Sequence, residues 1–215
     1  MSHRRLAALT ALIVLFIPQI AAAHITSTGS GGFTAGFEHP LSGYDHFLAM
    51  FAVGLWGAQM GGRRVWSLPV TFPMIMVIGG IVGILGLPVP GIEIGIALSI
   101  VVLGLAIAAA WTPAEWVSLA IIAVFGFYHG YAHGAELPMA ADPADYAIGF
   151  VLATGCIHVI GVGVGLALNP VWKGRLSQLL GAFIAFVGCG FLVLAFGYMK
   201  GQLGFLDGGL SLFGS

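Results

Sequence analysis

The sequence predicts an all-α membrane protein, a bundle of six transmembrane helices behind a cleavable signal peptide. Three observations predict it. Of 215 residues, 59% are hydrophobic and only 7% charged, and mean hydropathy is +1.04, whereas a soluble domain carries about 25% charged residues. Six apolar stretches are each long enough to cross the roughly 30 Å of a bilayer's hydrocarbon. The breaks between them are short, as antiparallel neighbours in one compact domain require. High hydrophobicity excludes disorder. With 7 basic and 8 acidic residues and no basic run longer than two, a nucleic-acid partner is unsupported.

Residues 1–23 have a basic start (Arg4, Arg5), an apolar stretch from Leu6 to Ile17, and Ala21-Ala22-Ala23. That is the layout of a secretory signal with a small-residue cleavage site. Cleavage after Ala23 would leave His24 as the first residue. A free α-amino group beside an imidazole is a compact metal chelate. The Ser-, Thr- and Gly-rich segment that follows reads as an extracytoplasmic arm, residues 24–40. The membrane domain is 41–199, with spans at 41–60, 65–87, 91–110, 115–135, 146–168 and 176–199. A tail at 200–215 completes the chain.

Basic residues orient the bundle. Arg63, Arg64, Lys173 and Arg175 fall in the first and fifth loops, on one side, with Lys200 alone opposite. Positive-inside places those loops in the cytoplasm and the N-terminus outside. Glu38, Asp45, Glu93, Glu136, Asp142, Asp145 and Asp207 map to the outer side, leaving only Glu115 inside. Gly126, Gly130 and Gly134, at four-residue spacing, make a flat helix face for close backbone approach. Pro69 and Pro73 in the second span either kink it or leave a carbonyl free. Cys156 and Cys189 sit in apolar runs, against a disulfide framework or a thiolate metal site.

Two polar clusters break the apolar pattern. An ionisable group at a span's centre costs at least about 2.5–3.5 kcal/mol, so it faces a cavity or a partner. The first cluster, His39-Pro40-Leu41-Ser42-Gly43-Tyr44-Asp45-His46, opens span one. Pro40 suits a first helical position, making His39 the cap and placing His39 and His46, seven apart, near one face of a single helix. Asp45 either ligates directly or orients an imidazole. The second cluster, Tyr128-His129-Gly130-Tyr131-Ala132-His133-Gly134-Ala135-Glu136, closes span four. His129, His133 and Glu136 share a helical face. Nitrogen and oxygen donors without thiolates suit Ni²⁺, Co²⁺ or Zn²⁺ over copper(I). His158, in the middle of span five, is an additional metal or relay candidate, as are His24 and Glu38.

At these residues the sequence resembles the HupE/UreJ family, membrane permeases for nickel or cobalt associated with hydrogenase and urease maturation. The family pattern of His, five residues, then Asp-His is matched by His39, Asp45 and His46. Its second pattern, an aromatic followed by His-Gly-x-Ala-His-Gly-x-Glu, is matched from Tyr128 through Glu136, with Tyr128 where the family usually has Phe. The resemblance implies uptake of Ni²⁺ or Co²⁺ across a bacterial inner membrane from the periplasm, an indirect link to nickel-enzyme maturation, and no permanent cofactor. The expected partners are the divalent ion and the lipid bilayer, with a homo-oligomer left open. Spans one and four occupy equivalent positions in two three-span halves, as a 3+3 inverted repeat would have them, which suggests one site between them. No phosphate-binding Gly-x-x-x-x-Gly-Lys-Ser/Thr run exists, so a secondary permease rather than an enzyme is expected. The alternatives are an intramembrane metal-dependent hydrolase using the same residues, a b-type haem protein, and a membrane metal sensor or store.

Overall fold

A computed structural model of the chain describes residues 32–139 and 141–210, with side chains as far as Met199. The expected signal segment and His24 lie outside the described residues. Those described form helices α1 Gly32–Ser42, α2 Tyr44–Met60, α3 Arg64–Ile84, α4 Ile92–Ala108, α5 Glu115–Ala135 and α6 Pro143–Leu168. A short 3-10 turn, Val171–Gly174, leads into α7, Arg175–Leu210. No strand occurs among the described residues. Helices α3 and α6 and the segment 171–199 are long and apolar enough to cross a membrane, and α4 is a shorter apolar helix.

The start of the first expected span differs from expectation. Residues 41–60 are not one helix: Gly43, extended at φ −86° and ψ 106°, separates α1 from α2. Pro40 is not a first helical residue but lies buried inside α1, and His39 stands in the last turn of α1 rather than at a cap. The reason is the sequence just upstream. Residues 32–37 supply a helical turn and a half that packs along α6, so the helix is already under way when Pro40 arrives. It ends where Ser42 Oγ and the Gly43 N–H both donate to the His39 carbonyl, at 2.9 and 3.3 Å. Beyond residue 199, α7 continues as helix to Leu210.

Helix α2 is the central post. Nearly every residue from Ala49 to Ala58 is buried, as a helix apolar on all sides should be. Met50, Leu55 and Trp56 pack there against Phe72 of α3, Ile100 and Leu103 of α4, Ile122 of α5 and Ile157 of α6. Around it α3 packs on α5, α4 on α7, and α6 on α2 and α1. The α3–α5 contact is backbone on backbone. Gly126 faces the main chain of Phe72, Gly130 that of Met76, and Gly134 that of Gly80, which is the use anticipated for this glycine row.

The outer surface is that of a protein in lipid, with Ile81, Leu105, Phe186 and Val193 all exposed. Its aromatics are sorted by end. Four of the five tryptophans, Trp66, Trp111, Trp116 and Trp172, are exposed at the end carrying Arg63, Arg64, Lys173 and Arg175. Exposed Tyr44 and the tyrosines of the α5 terminus belong to the other end. Amphipathic rings at helix ends are the mark of a membrane interface. Both histidine clusters lie at the tyrosine end.

Candidate metal site

Three helix termini converge there: the end of α1, the start of α2 and the end of α5. His129 and His133, one turn apart on α5, are 0% and 3% exposed, and His46 in the first turn of α2 is half-buried. The His46 ring centroid lies 4.9 Å from that of His129 and 4.5 Å from that of His133. One ring nitrogen from each of the three falls within 4.8 Å of the other two. Three imidazoles thus surround one point, contributed by two helices distant in sequence. The C-terminal carbonyl end of α5 adds negative potential suited to a cation.

Hydrogen bonds decide which nitrogens carry lone pairs. Asp45 Oδ1 accepts from His46 Nδ1 at 2.8 Å and from the His46 backbone N–H at 2.8 Å. A carboxylate oxygen only accepts, so Nδ1 holds the proton and Nε2 the lone pair. Of the two roles open to Asp45, the geometry is that of orienting an imidazole. Gly43 leaves room for this pair, since a Cβ there would lie 3.2 Å from Asp45 Oδ1 and 3.3 Å from His46 Nδ1. His46 Nε2, His129 Nδ1 and both nitrogens of His133 are buried without a hydrogen-bond partner among the described residues. Buried polar atoms are rarely left so, and here they cluster.

His39 and Glu136 form the rim. His39 Nε2 is 3.6 Å from Glu136 Oε2, and its ring stands edge-on to His133 at 4.6 Å. Glu136 caps the end of α5 rather than continuing its face, so its carboxylate meets His39 instead of joining the three imidazoles. Glu93 and Glu136 both lie within electrostatic reach of His46. Glu38 is exposed on α1.

His158 stands apart, 1% exposed on α6. The Phe72 ring separates it from the cluster, 5.4 Å from the rings of both His129 and His158. His158 Nδ1 donates to the Pro69 carbonyl at 3.0 Å, leaving Nε2 buried and unpartnered among the described residues. The proline pair explains that acceptor. Residue 73 would normally bond the carbonyl of residue 69, but Pro73 has no N–H to offer. Of the two expected effects of Pro69 and Pro73, a freed carbonyl is therefore present, and the imidazole takes it.

Several residues at the site carry no motif. Phe150 packs on His133 with centroids 3.9 Å apart, Tyr146 lies 6.1 Å from His39, and Ser99 of α4 contacts His129. The first two read as ordinary core aromatics in sequence. Ser99 offers only a weak signal, a hydroxyl inside an apolar helix. Beside His133 is a cavity of about 260 Å³ lined largely by apolar groups, among them Met76, Ile81, Ile84, Phe150 and Val151. Cys156 and Cys189 are free thiols on the exposed faces of α6 and α7.

Comparison with known proteins places these residues in a wider context. The family described as HupE / UreJ protein matches residues 12–191. Protein HupE of Rhizobium leguminosarum bv. viciae is 36% identical over 184 residues, spanning 86% of this chain and 96% of that protein. No solved structure matches the chain.

Proposed function

The chain belongs to the HupE/UreJ family, and from that premise we propose that it is a secondary permease carrying Ni²⁺ or Co²⁺ inward. The ion is captured between spans one and four, which are α2 and α5. The observation that carries this reading is the meeting of His46, His129 and His133 within 4.8 Å, with unpartnered nitrogens turned to no other task.

A hydrated ion first meets the carboxylates and His39 at the rim. It then exchanges water for imidazole nitrogen, which nickel and cobalt accept readily. Three protein ligands leave coordination positions for water, so the ion is held without being locked in. Below the cluster, Phe72 bars the way and His158 Nε2 is the next nitrogen along the bundle, an inner relay. The hydrolase alternative is not favoured, because the cavity beside His133 is apolar and offers little to hold an amide or ester.

The six-span topology rests on α2–α7, with the arginine-bearing end in the cytoplasm and the N-terminus left by signal cleavage outside. At 17 residues, α2 and α4 rise only about 25 Å, so the bilayer thins or the helix ends lie in the interface beside them. The pairing of α3 with α5, α2 with α6 and α4 with α7 supports an inverted repeat, since exchanging the two halves maps this set onto itself. Uptake draws on the membrane potential, worth about 2.3 kcal/mol per charge per 100 mV and twice that for a divalent ion.

Purified protein in liposomes tests the reading. Radiolabelled Ni²⁺ should accumulate inside when an inward-negative potential is imposed, without ATP. Binding with no transmembrane flux would instead make the chain a sensor or store. Asp45→Asn keeps the shape of the carboxylate but loses its charge, and loss of such an orienting partner typically costs 10–100-fold in metal affinity. Calorimetric titration with Ni²⁺ should show a drop of about that size; an unchanged affinity would mean that Asp45 does not orient His46.

A further inference from the structure

We propose that Ser99 is a positioning residue that fixes the tautomer of His129 and thereby selects Nδ1 as its metal-binding atom. The inference rests on the metal-site reading above and extends it to a helix, α4, that carries none of the histidines. Ser99 is 0% exposed. Its Oγ lies 2.6 Å from the Ile96 carbonyl oxygen and 3.0 Å from His129 Nε2.

A hydroxyl has one proton and a carbonyl has none. At 2.6 Å two oxygens without a proton between them would repel, so the Ser99 hydrogen points at Ile96. Oγ therefore meets His129 with a lone pair, and the imidazole must donate through Nε2–H. A neutral imidazole has one N–H, which leaves the lone pair on Nδ1. That is the nitrogen buried without a partner. Ser99 thus does for His129 what Asp45 does for His46, but on the opposite ring nitrogen.

The contrast has a chemical consequence. Nδ1 is adjacent to the ring carbon that joins the side chain, so ligation there draws the ion toward the α5 backbone. Ligation through His46 Nε2 holds it at the full reach of the ring from α2. The ion is thereby placed off-centre, toward α5. The i−3 bond to Ile96 is what commits the hydroxyl. A serine that merely filled space would have no reason to show both contacts.

Nitrogen-15 NMR of histidine-labelled, metal-free protein reads the tautomer directly. In the wild-type chain His129 should show a protonated Nε2 and a bare Nδ1. Ser99→Ala should yield a mixture of tautomers and a drop in Ni²⁺ affinity of roughly tenfold or more. Ser99→Thr, which keeps the hydroxyl, should restore both. A merely structural serine would leave the tautomer and affinity unmoved in any folded variant, and that result would overturn the proposal. So would a wild-type His129 protonated on Nδ1, whether or not the variants fold. Failure of the wild-type chain to bind Ni²⁺ at all would overturn the metal reading, while the NMR signature still decides the Ser99 lock.

Discussion

Replacing His133 or His46 by alanine is expected to lower Ni²⁺ affinity at least about 100-fold and to reduce uptake to that of empty liposomes. Losing a partner that only orients a ligand costs about 10–100-fold, and losing a ligand should exceed that range. Only two imidazoles would remain of a group of three. At His133 the vacated space opens onto the largely apolar cavity beside Phe150, with no further imidazole lining it. Paired measurements of Ni²⁺ binding by calorimetry and uptake by vesicles decide the matter. Wild-type uptake in both variants would mean that the ion travels elsewhere.

The second large effect concerns the fold. Gly130→Val should destabilise the protein by at least about 3 kcal/mol, the upper part of the usual range for forcing extra atoms into a packed interior. Any Cβ at Gly130 would fall on the main chain of Met76, which cannot rotate away as a side chain does. Helices α3 and α5 would have to part, carrying Phe72 away from His129. Gly155→Ala is the control, since a Cβ there meets nothing within 4 Å. It should be neutral or slightly stabilising, as alanine favours helix over glycine by about 1 kcal/mol. Unfolding in mixed micelles, followed by helical circular dichroism, compares the two. Equal stability would show that the α3–α5 contact yields more easily than its geometry implies.

The helical architecture was legible because apolar stretches of membrane length have few alternatives. So was the meeting of His46 with His129 and His133, because two polar clusters at one side of a bilayer have few places to go but toward each other. The break at Gly43 was not. Pro40 carries the same local signal whether it begins a helix or sits near the end of one, and only the packing of α1 on α6 separates the cases. Glu136 has the right spacing for the face of His129 and His133, but the helix ends one residue too soon. Ser99 and Pro73 act through groups 30 and 85 positions distant in the chain, numbers that no local pattern contains.

The bond between His158 and the Pro69 carbonyl ties the bundle's motions together. A peptide oxygen stripped of its own ladder partner, in a medium without water, costs several kcal/mol when left bare. Sliding α6 past α3 would expose it at every stroke. The bond therefore resists any sliding of α6 against α3, and α5 and α2, whose main chains lie directly on those two helices, are held with them.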